Sequence, residues 1–106
     1  MSEISTVAVI TAKPGSGPFV ESALRELAVA THAEEGCLLY SLQRGLADEN
    51  VFVTVEKWTS QEALDQHLAS PHVQAAIAAA NEHLAAPLQI IPTQPLEAGD
   101  EAKRTY

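Results

Sequence analysis

Two short apolar segments, Cys37–Arg44 and Val51–Trp58, constrain the fold of this chain more than any other feature of its sequence. Each has the length and composition of a β-strand, and the short polar connection between them predicts a hairpin. Apolar residues occupy both odd and even positions of each segment, whereas a strand with one solvated face alternates apolar with polar residues. Both faces of these strands are therefore expected to be buried.

The segments on either side of the hairpin predict a β-α-β-β-α-α-β order. β-Branched runs indicate strands, and apolar stripes of helical period indicate helices. Thr59, with Glu62 three residues on, and Ser70 are placed as helix N-caps. The predicted elements are a strand over 4–12, a helix over 18–32, strands over 37–44 and 51–58, helices over 60–69 and 71–86, and a strand over 88–96 that two prolines favour as a sheet edge. This order is that of a ferredoxin-like α+β fold with one four-stranded antiparallel sheet. Because its helices cover a single face, we expect a homodimer in which a second copy covers the other.

Charge and composition limit the partners of the chain. Fourteen acidic and six basic residues give a net charge of −8, which argues against nucleic acid and against an anionic membrane surface. The single cysteine, Cys37, excludes an intrachain disulfide and, with no signal peptide evident, predicts a cytoplasmic location. We expect one domain over 1–96 and a polar tail over 97–106. Glu34 and Glu35 follow the first predicted helix, just before Gly36 as its C′ residue; the helix dipole disfavours them there, and they are expected to be exposed.

The strand-to-helix unit over 51–74 carries the clearest candidate site. Glu56 and Trp58 share one face of their strand, and His67 lies on the apolar face of the following helix. A neutral His67 facing the sheet can accept a proton near pH 7, and a buried Glu56 can orient its ring. The alternatives are a core histidine bonded to a backbone carbonyl, and a Glu56 that reaches solvent or pairs with Arg44. Trp58 forms either an apolar wall of the substrate pocket or part of the core.

Three further residues are candidates for the substrate pocket. His72, in the first turn of its helix, can line the cavity mouth or act as a capping or surface residue. Tyr40 and Arg44 share a strand face and can donate hydrogen bonds to a substrate, although both also suit a dimer interface. His67 and His72 do not have the i, i+4 spacing of a helical zinc motif. With no third ligand evident, no metal site is predicted.

Three stretches of the sequence resemble those of a known family: EGCLLY at 35–40, FV at 52–53 followed by EKW at 56–58, and SQEALDQHLASPH at 60–72. Their most specific part is the pattern of Trp58, His67 and Pro71-His72. On these residues the chain resembles the antibiotic biosynthesis monooxygenase family, including its quinol monooxygenase-like members, over about 4–96. The resemblance implies a dimeric α+β barrel and an oxygenase that needs no metal, flavin or haem. In such chemistry a base deprotonates a phenol or hydroquinone, and the anion reduces dioxygen directly.

The resemblance leaves more than one function open. Similar proteins degrade haem, isomerise small phosphorylated sugar-derived diones, or have no established activity. Haem-degrading relatives carry an asparagine and a ligating histidine where this chain has Val7 and Ile77, so haem is not expected. The leading hypothesis is a monooxygenase of a small phenolic or quinol-type aromatic, with His67 as base and Glu56 orienting it. The alternatives are an isomerase or lyase that moves a proton in the same pocket, and a non-catalytic dimer that binds a small molecule.

Overall fold

A computed structural model describes residues 3–104 of the protein. Its elements in chain order are β1 (Ile4–Thr11), α1 (Gly17–His32), β2 (Cys37–Arg44), β3 (Val51–Trp58), α2 (Gln61–Ala69), α3 (Pro71–Ala80), a 3-10 turn (Asn81–His83), β4 (Gln89–Thr93) and α4 (Glu101–Arg104). The four strands form one antiparallel sheet in the order β2-β3-β1-β4. The predicted ferredoxin-like α+β fold is confirmed. Within residues 3–104, no helix is both long and apolar enough to span a bilayer.

Ser60, rather than the predicted Thr59, is the N-cap of α2, and Ser70 sets the bend between α2 and α3. The hydroxyl oxygens of Ser60 and Ser70 each accept a hydrogen bond from the backbone N–H three residues on, at 3.1 and 3.4 Å. Ser70 also donates its hydroxyl proton to the carbonyl oxygen of His67 at 2.6 Å, so the residue that begins α3 is tied to the last turn of α2. His67 and His72 therefore lie on opposite sides of one short, capped bend.

Two predicted elements end earlier than their sequence patterns indicated. The predicted helix over 71–86 is wrong beyond α3, because the Ala85 N–H donates instead to the Thr11 carbonyl of β1 at 2.8 Å. β4 is likewise shorter than predicted, and it lies at the sheet edge as the prolines required. The predicted tail over 97–106 contains α4, and residues 105 and 106 lie outside the described part of the chain.

Strand β3 alternates strictly between buried and half-buried residues, and its buried face is not uniformly apolar. Phe52 packs with Val20 in one hydrophobic cluster, and Trp58 packs in a second one towards the other end of the strand. Between them, the same face carries buried Thr54 and Glu56. A polar group at such a position is costly unless it is hydrogen-bonded, so this part of the core is where a polar site must be sought.

The opposite face of the sheet is also apolar. Val55 pairs with Val7 and Val53 with Val9, so these four side chains share the face that points away from the core. Ile91, which pairs with Val7 on the same face, is 49% exposed. The double-sided apolar character predicted from the sequence is thus present in the fold, and it leaves an apolar surface outside the core of the described chain.

Gly36 allows the loop between α1 and β2 to approach α2. A Cβ at this position would lie 2.5 Å from the Cβ of Ala63, closer than two carbon atoms can pack. The Gly36 carbonyl also accepts a hydrogen bond from the Thr59 N–H at 2.9 Å. This contact fixes the short loop that contains Glu34.

Gly36→Ala should lower the free energy of unfolding by about 1–3 kcal/mol, because the added methyl group overpacks the contact with Ala63. Glu35→Ala, at the neighbouring exposed position, is the matched control and should stay within about 0.5 kcal/mol of the wild type. Urea unfolding measures both. Equal stability of Gly36→Ala and the wild type would contradict a tight contact here.

Candidate active site

A cavity of about 70 Å³ lies between the helices and the sheet. A single water molecule occupies roughly 10–15 Å³ on this measure, so the space exceeds one water. Its walls are mostly aliphatic side chains from β1, α1, α3 and β4. The polar residues that line it are Tyr40, Thr54, Glu56 and His67. An apolar cavity with a few convergent polar groups is typical of a small-molecule site.

His67 projects from α2 into this cavity and is only 3% exposed. Its ring packs against Trp58, with ring centroids 4.5 Å apart, and against Tyr40 at 5.8 Å. Its Nδ1 atom lies 2.7 Å from Glu34 Oε2, whereas Nε2 makes no hydrogen bond to any residue within 3–104. Because a carboxylate only accepts, Nδ1 carries the proton of this bond. In the neutral ring, Nε2 is then left with a free lone pair.

The carboxylate that orients His67 is Glu34, and the prediction that Glu56 does so is wrong. Glu34 lies in the loop after α1 and reaches His67 across 33 residues of sequence. Its side chain is 20% exposed, so the expectation of a solvent-exposed Glu34 also fails. The signal that could have identified it was present: an acidic residue at a helix C-terminus, where the dipole disfavours it, needs a compensating partner.

His72 is the second partner of Glu34. Its Nε2 atom lies 2.7 Å from the same Oε2 atom that His67 contacts, so one carboxylate oxygen accepts from two imidazoles. The His72 side chain is 30% exposed and lines a groove between α1 and α3 rather than the cavity. The proposed place of His72 in the substrate pocket is therefore not observed.

Glu56 lies inside the cavity wall and is held by its own strand. Its carboxylate accepts hydrogen bonds from Thr54 Oγ1 at 2.7 Å and from Trp58 Nε1 at 3.0 Å. Glu56 is 4% exposed, so neither the solvent-facing alternative nor the pair with Arg44 is found. Trp58 is completely buried behind His67 and does not line the cavity, which assigns it to the core.

Tyr40 and Arg44 share a strand face but differ in environment. Tyr40 lies in the cavity on the helix-covered face, so the expected interface role is wrong for it. Burial, and then the nearby Glu56 carboxylate, raise the pKa of Tyr40, which therefore keeps its proton and can donate a hydrogen bond. Arg44 pairs with Glu21 of α1 and covers the Phe52 ring at 5.7 Å, outside the cavity.

The arrangement can support proton transfer, and one part of it can bind a cation. His67 Nε2 and the Glu56 carboxylate are potential proton acceptors in a largely apolar space, with the Tyr40 hydroxyl as a donor. Glu34, His67 and His72 form a group whose potential metal-ligand atoms lie within 4.8 Å of one another. The sequence argument against a metal assumed that no third ligand exists, and Glu34 supplies one.

The fold and the site define the class of protein: a small ferredoxin-like α+β domain, with helices over one face of its sheet and a cavity beneath them that His67 lines. The sequence model described as Antibiotic biosynthesis monooxygenase matches residues 4–79, and the chain belongs to this family.

The chain is similar to known proteins and solved structures over most of its length. "Putative monooxygenase YcnE" of Bacillus subtilis (strain 168) is 34% identical over 87 residues, which are 82% of this chain and 92% of that protein. The structure of Rv0793 from Mycobacterium tuberculosis has a TM-score of 0.85 and 27% identity, covering 93% of this chain and 100% of that one. PA3566 from Pseudomonas aeruginosa has a TM-score of 0.84 and 29% identity, covering 91% and 96%.

Stability should fall as the pH rises above about 10, the ordinary pKa of tyrosine in an unfolded chain. The pKa of folded Tyr40 is raised, so above that pH the unfolded chain releases a proton that the folded protein retains. This group contributes a loss of up to about 1.4 kcal/mol per pH unit, and none below that range. Tyr40→Phe should reduce the alkaline slope in urea unfolding. Parallel slopes for wild type and variant would contradict the raised pKa.

Proposed function

We propose that this protein is a monooxygenase that uses dioxygen to oxidise a small phenolic or quinol-type molecule, without a metal, flavin or haem cofactor. Membership of the family and relatives named as monooxygenases support the reaction class. The observation that carries the proposal is His67, whose side chain lines the cavity and whose Nδ1 is bonded to Glu34, so that Nε2 has the free lone pair. The apolar walls favour an aromatic substrate.

The first step of the proposed reaction is a proton transfer. His67 Nε2 accepts the proton of the substrate hydroxyl, and the Glu34 carboxylate on the other ring nitrogen stabilises the resulting imidazolium. The ring is also held in place by packing against Trp58. Glu34 is therefore a positioning residue in this scheme, and His67 is the catalytic base.

The second step transfers electrons from the substrate anion to dioxygen. The phenolate donates one electron to dioxygen. The resulting phenoxyl radical and superoxide then combine to form a carbon–oxygen bond and a peroxide anion. The peroxide takes the proton held by His67, and the hydroxyl of Tyr40, which lines the same cavity, donates to the developing charge. Loss of the C–H proton and cleavage of the O–O bond then release water and leave a quinone. One phenol and one dioxygen give one quinone and one water, with four electrons transferred.

His67→Ala should reduce kcat for oxygen uptake with a hydroquinone or naphthol substrate by about 10²-fold or more, the scale of a lost acid–base group. Glu34→Gln should lower kcat more than it changes KM, because Glu34 contacts the base and does not line the cavity. Chelator-treated protein in an oxygen electrode gives both values, and circular dichroism verifies folding.

Glu35→Gln, one residue away and exposed, is the matched control for Glu34→Gln and should retain wild-type kcat. Unchanged turnover of His67→Ala would remove His67 from the mechanism. Turnover of a substrate without oxygen would instead favour the isomerase or lyase alternative, in which His67 and Glu56 move a proton in the same cavity.

We also propose that the protein is a homodimer whose subunits pack through the apolar sheet face of Val7, Val9, Val53, Val55 and Ile91. This face points away from the core and contains apolar residues from three strands. A second copy of the same face is self-complementary and completes the two-sided burial expected of the strands.

Val53→Asp should convert the dimer to a monomer, because a carboxylate would be buried without a partner at the centre of the proposed interface. Val29→Asp is the matched control, since Val29 is 74% exposed on α1. Size-exclusion chromatography with light scattering at micromolar concentration distinguishes the two states. A monomeric wild type, or a dimeric Val53→Asp, would contradict the proposed interface.

A cytoplasmic location belongs to the same proposal. Cys37 is a free, half-buried thiol, and burial raises the pKa of that thiol above its ordinary value. A reducing compartment would keep such a thiol unmodified.

A further inference from the structure

We propose that Glu34, His67 and His72 form a reversible binding site for a divalent transition-metal ion of the zinc type. The three side chains come from different parts of the fold: the loop after α1, the last turn of α2 and the first turn of α3. Glu34 Oε2 lies 2.7 Å from both His67 Nδ1 and His72 Nε2, and all potential ligand atoms fall within 4.8 Å of one another.

The donor set determines which ions fit. Two imidazole nitrogens and one carboxylate oxygen are ligands that Zn²⁺ binds well, whereas Mg²⁺ and Ca²⁺ prefer oxygen ligands alone. Zinc–ligand bonds of about 2.0–2.2 Å place neighbouring ligand atoms of a tetrahedral site about 3.4 Å apart. The two contacts of 2.7 Å must therefore open by about 0.7 Å, and the two ring nitrogens, which lie within 4.8 Å of each other, must close by no more than about 1.4 Å. Such shifts lie within side-chain rotation.

The fold holds these ligands in place and leaves them accessible from one side. Ser70 ties the end of α2 to the start of α3, and the close packing of Gly36 fixes the loop that carries Glu34. His72 and Glu34 have side chains that are 30% and 20% exposed, so an ion can reach the site from solvent. His67, with a side chain 4% exposed, would be the innermost ligand.

Metal binding at this site would reverse the hydrogen-bonding role of His67 in the cavity. Without an ion, the Nδ1 proton is donated to Glu34 and Nε2 has the lone pair. An ion needs the lone pair of Nδ1, so the proton of the neutral ring must move to Nε2. The ring then presents a donor to the cavity in place of an acceptor. The resulting inhibition of turnover rests on the proposed function, whereas metal binding and the change of tautomer do not.

The experiment is a titration of the chelator-stripped protein with ZnCl₂ by isothermal calorimetry. Wild type should bind one zinc ion per chain, and MgCl₂ should give no binding at the same concentrations. Glu34→Gln and His72→Gln should each weaken zinc binding by at least about tenfold, the lower limit seen when even an outer partner of a metal site is lost. His83→Gln removes a histidine that contacts Ser16 instead, and should bind as the wild type does.

Long-range ¹H–¹⁵N spectra of the histidine rings provide the second measurement. Zinc should move the His67 proton from Nδ1 to Nε2 in the wild type. Equal zinc affinity in the wild type, Glu34→Gln and His72→Gln would overturn the proposal, as would an unchanged His67 tautomer at saturating zinc. Zinc binding with the expected tautomer but without loss of oxygen uptake would support the site and count against His67 as the base, so the two proposals fail separately.

Discussion

The hydrogen bond between His67 and Glu34 is the interaction on which the geometry of the candidate site depends. At 2.7 Å it joins the loop after α1 to the last turn of α2 and fixes the ring beside the cavity. It also sets the tautomer, because a carboxylate can only accept. The capped bend at Ser70 fixes the end of α2 that carries His67, and the close packing of Gly36 on Ala63 fixes the loop that carries Glu34.

The buried face of β3 explains how polar groups are tolerated beside this bond. Phe52 and Trp58 anchor separate hydrophobic clusters, while Thr54 and Glu56 lie between them. A buried carboxylate without partners would be strongly destabilising, but Glu56 accepts from Thr54 and from the Trp58 indole. Trp58 thus contributes to the site by holding Glu56 and packing against His67, although it does not touch the cavity.

Glu34 connects the proposed catalytic base and the proposed metal site through one atom. Its Oε2 accepts from the proposed base and from His72, and the same atom is a ligand of the proposed metal site. In the metal-free protein Nδ1 of His67 is bonded to Glu34, and in the proposed metal-bound form Nδ1 is bonded to the ion. Nε2 accepts a hydrogen bond in the first form and donates one in the second. The proposed proton transfer and the proposed metal binding therefore exclude each other, because both need the Nδ1 or Nε2 proton of the same ring in different places.

The sequence by itself determined the element order, the helix start at Ser70 and the burial of His67. These features depend on local periodicity, capping and strand parity, which act over a few residues. The partner of His67, the place of Arg44 outside the cavity and the early end of α3 were decided only by the tertiary structure. Each depends on distances between segments remote in sequence, as when Glu34 and His67 meet across 33 residues. Charge and polarity identify a group that needs a partner, but only packing brings that partner within hydrogen-bonding distance.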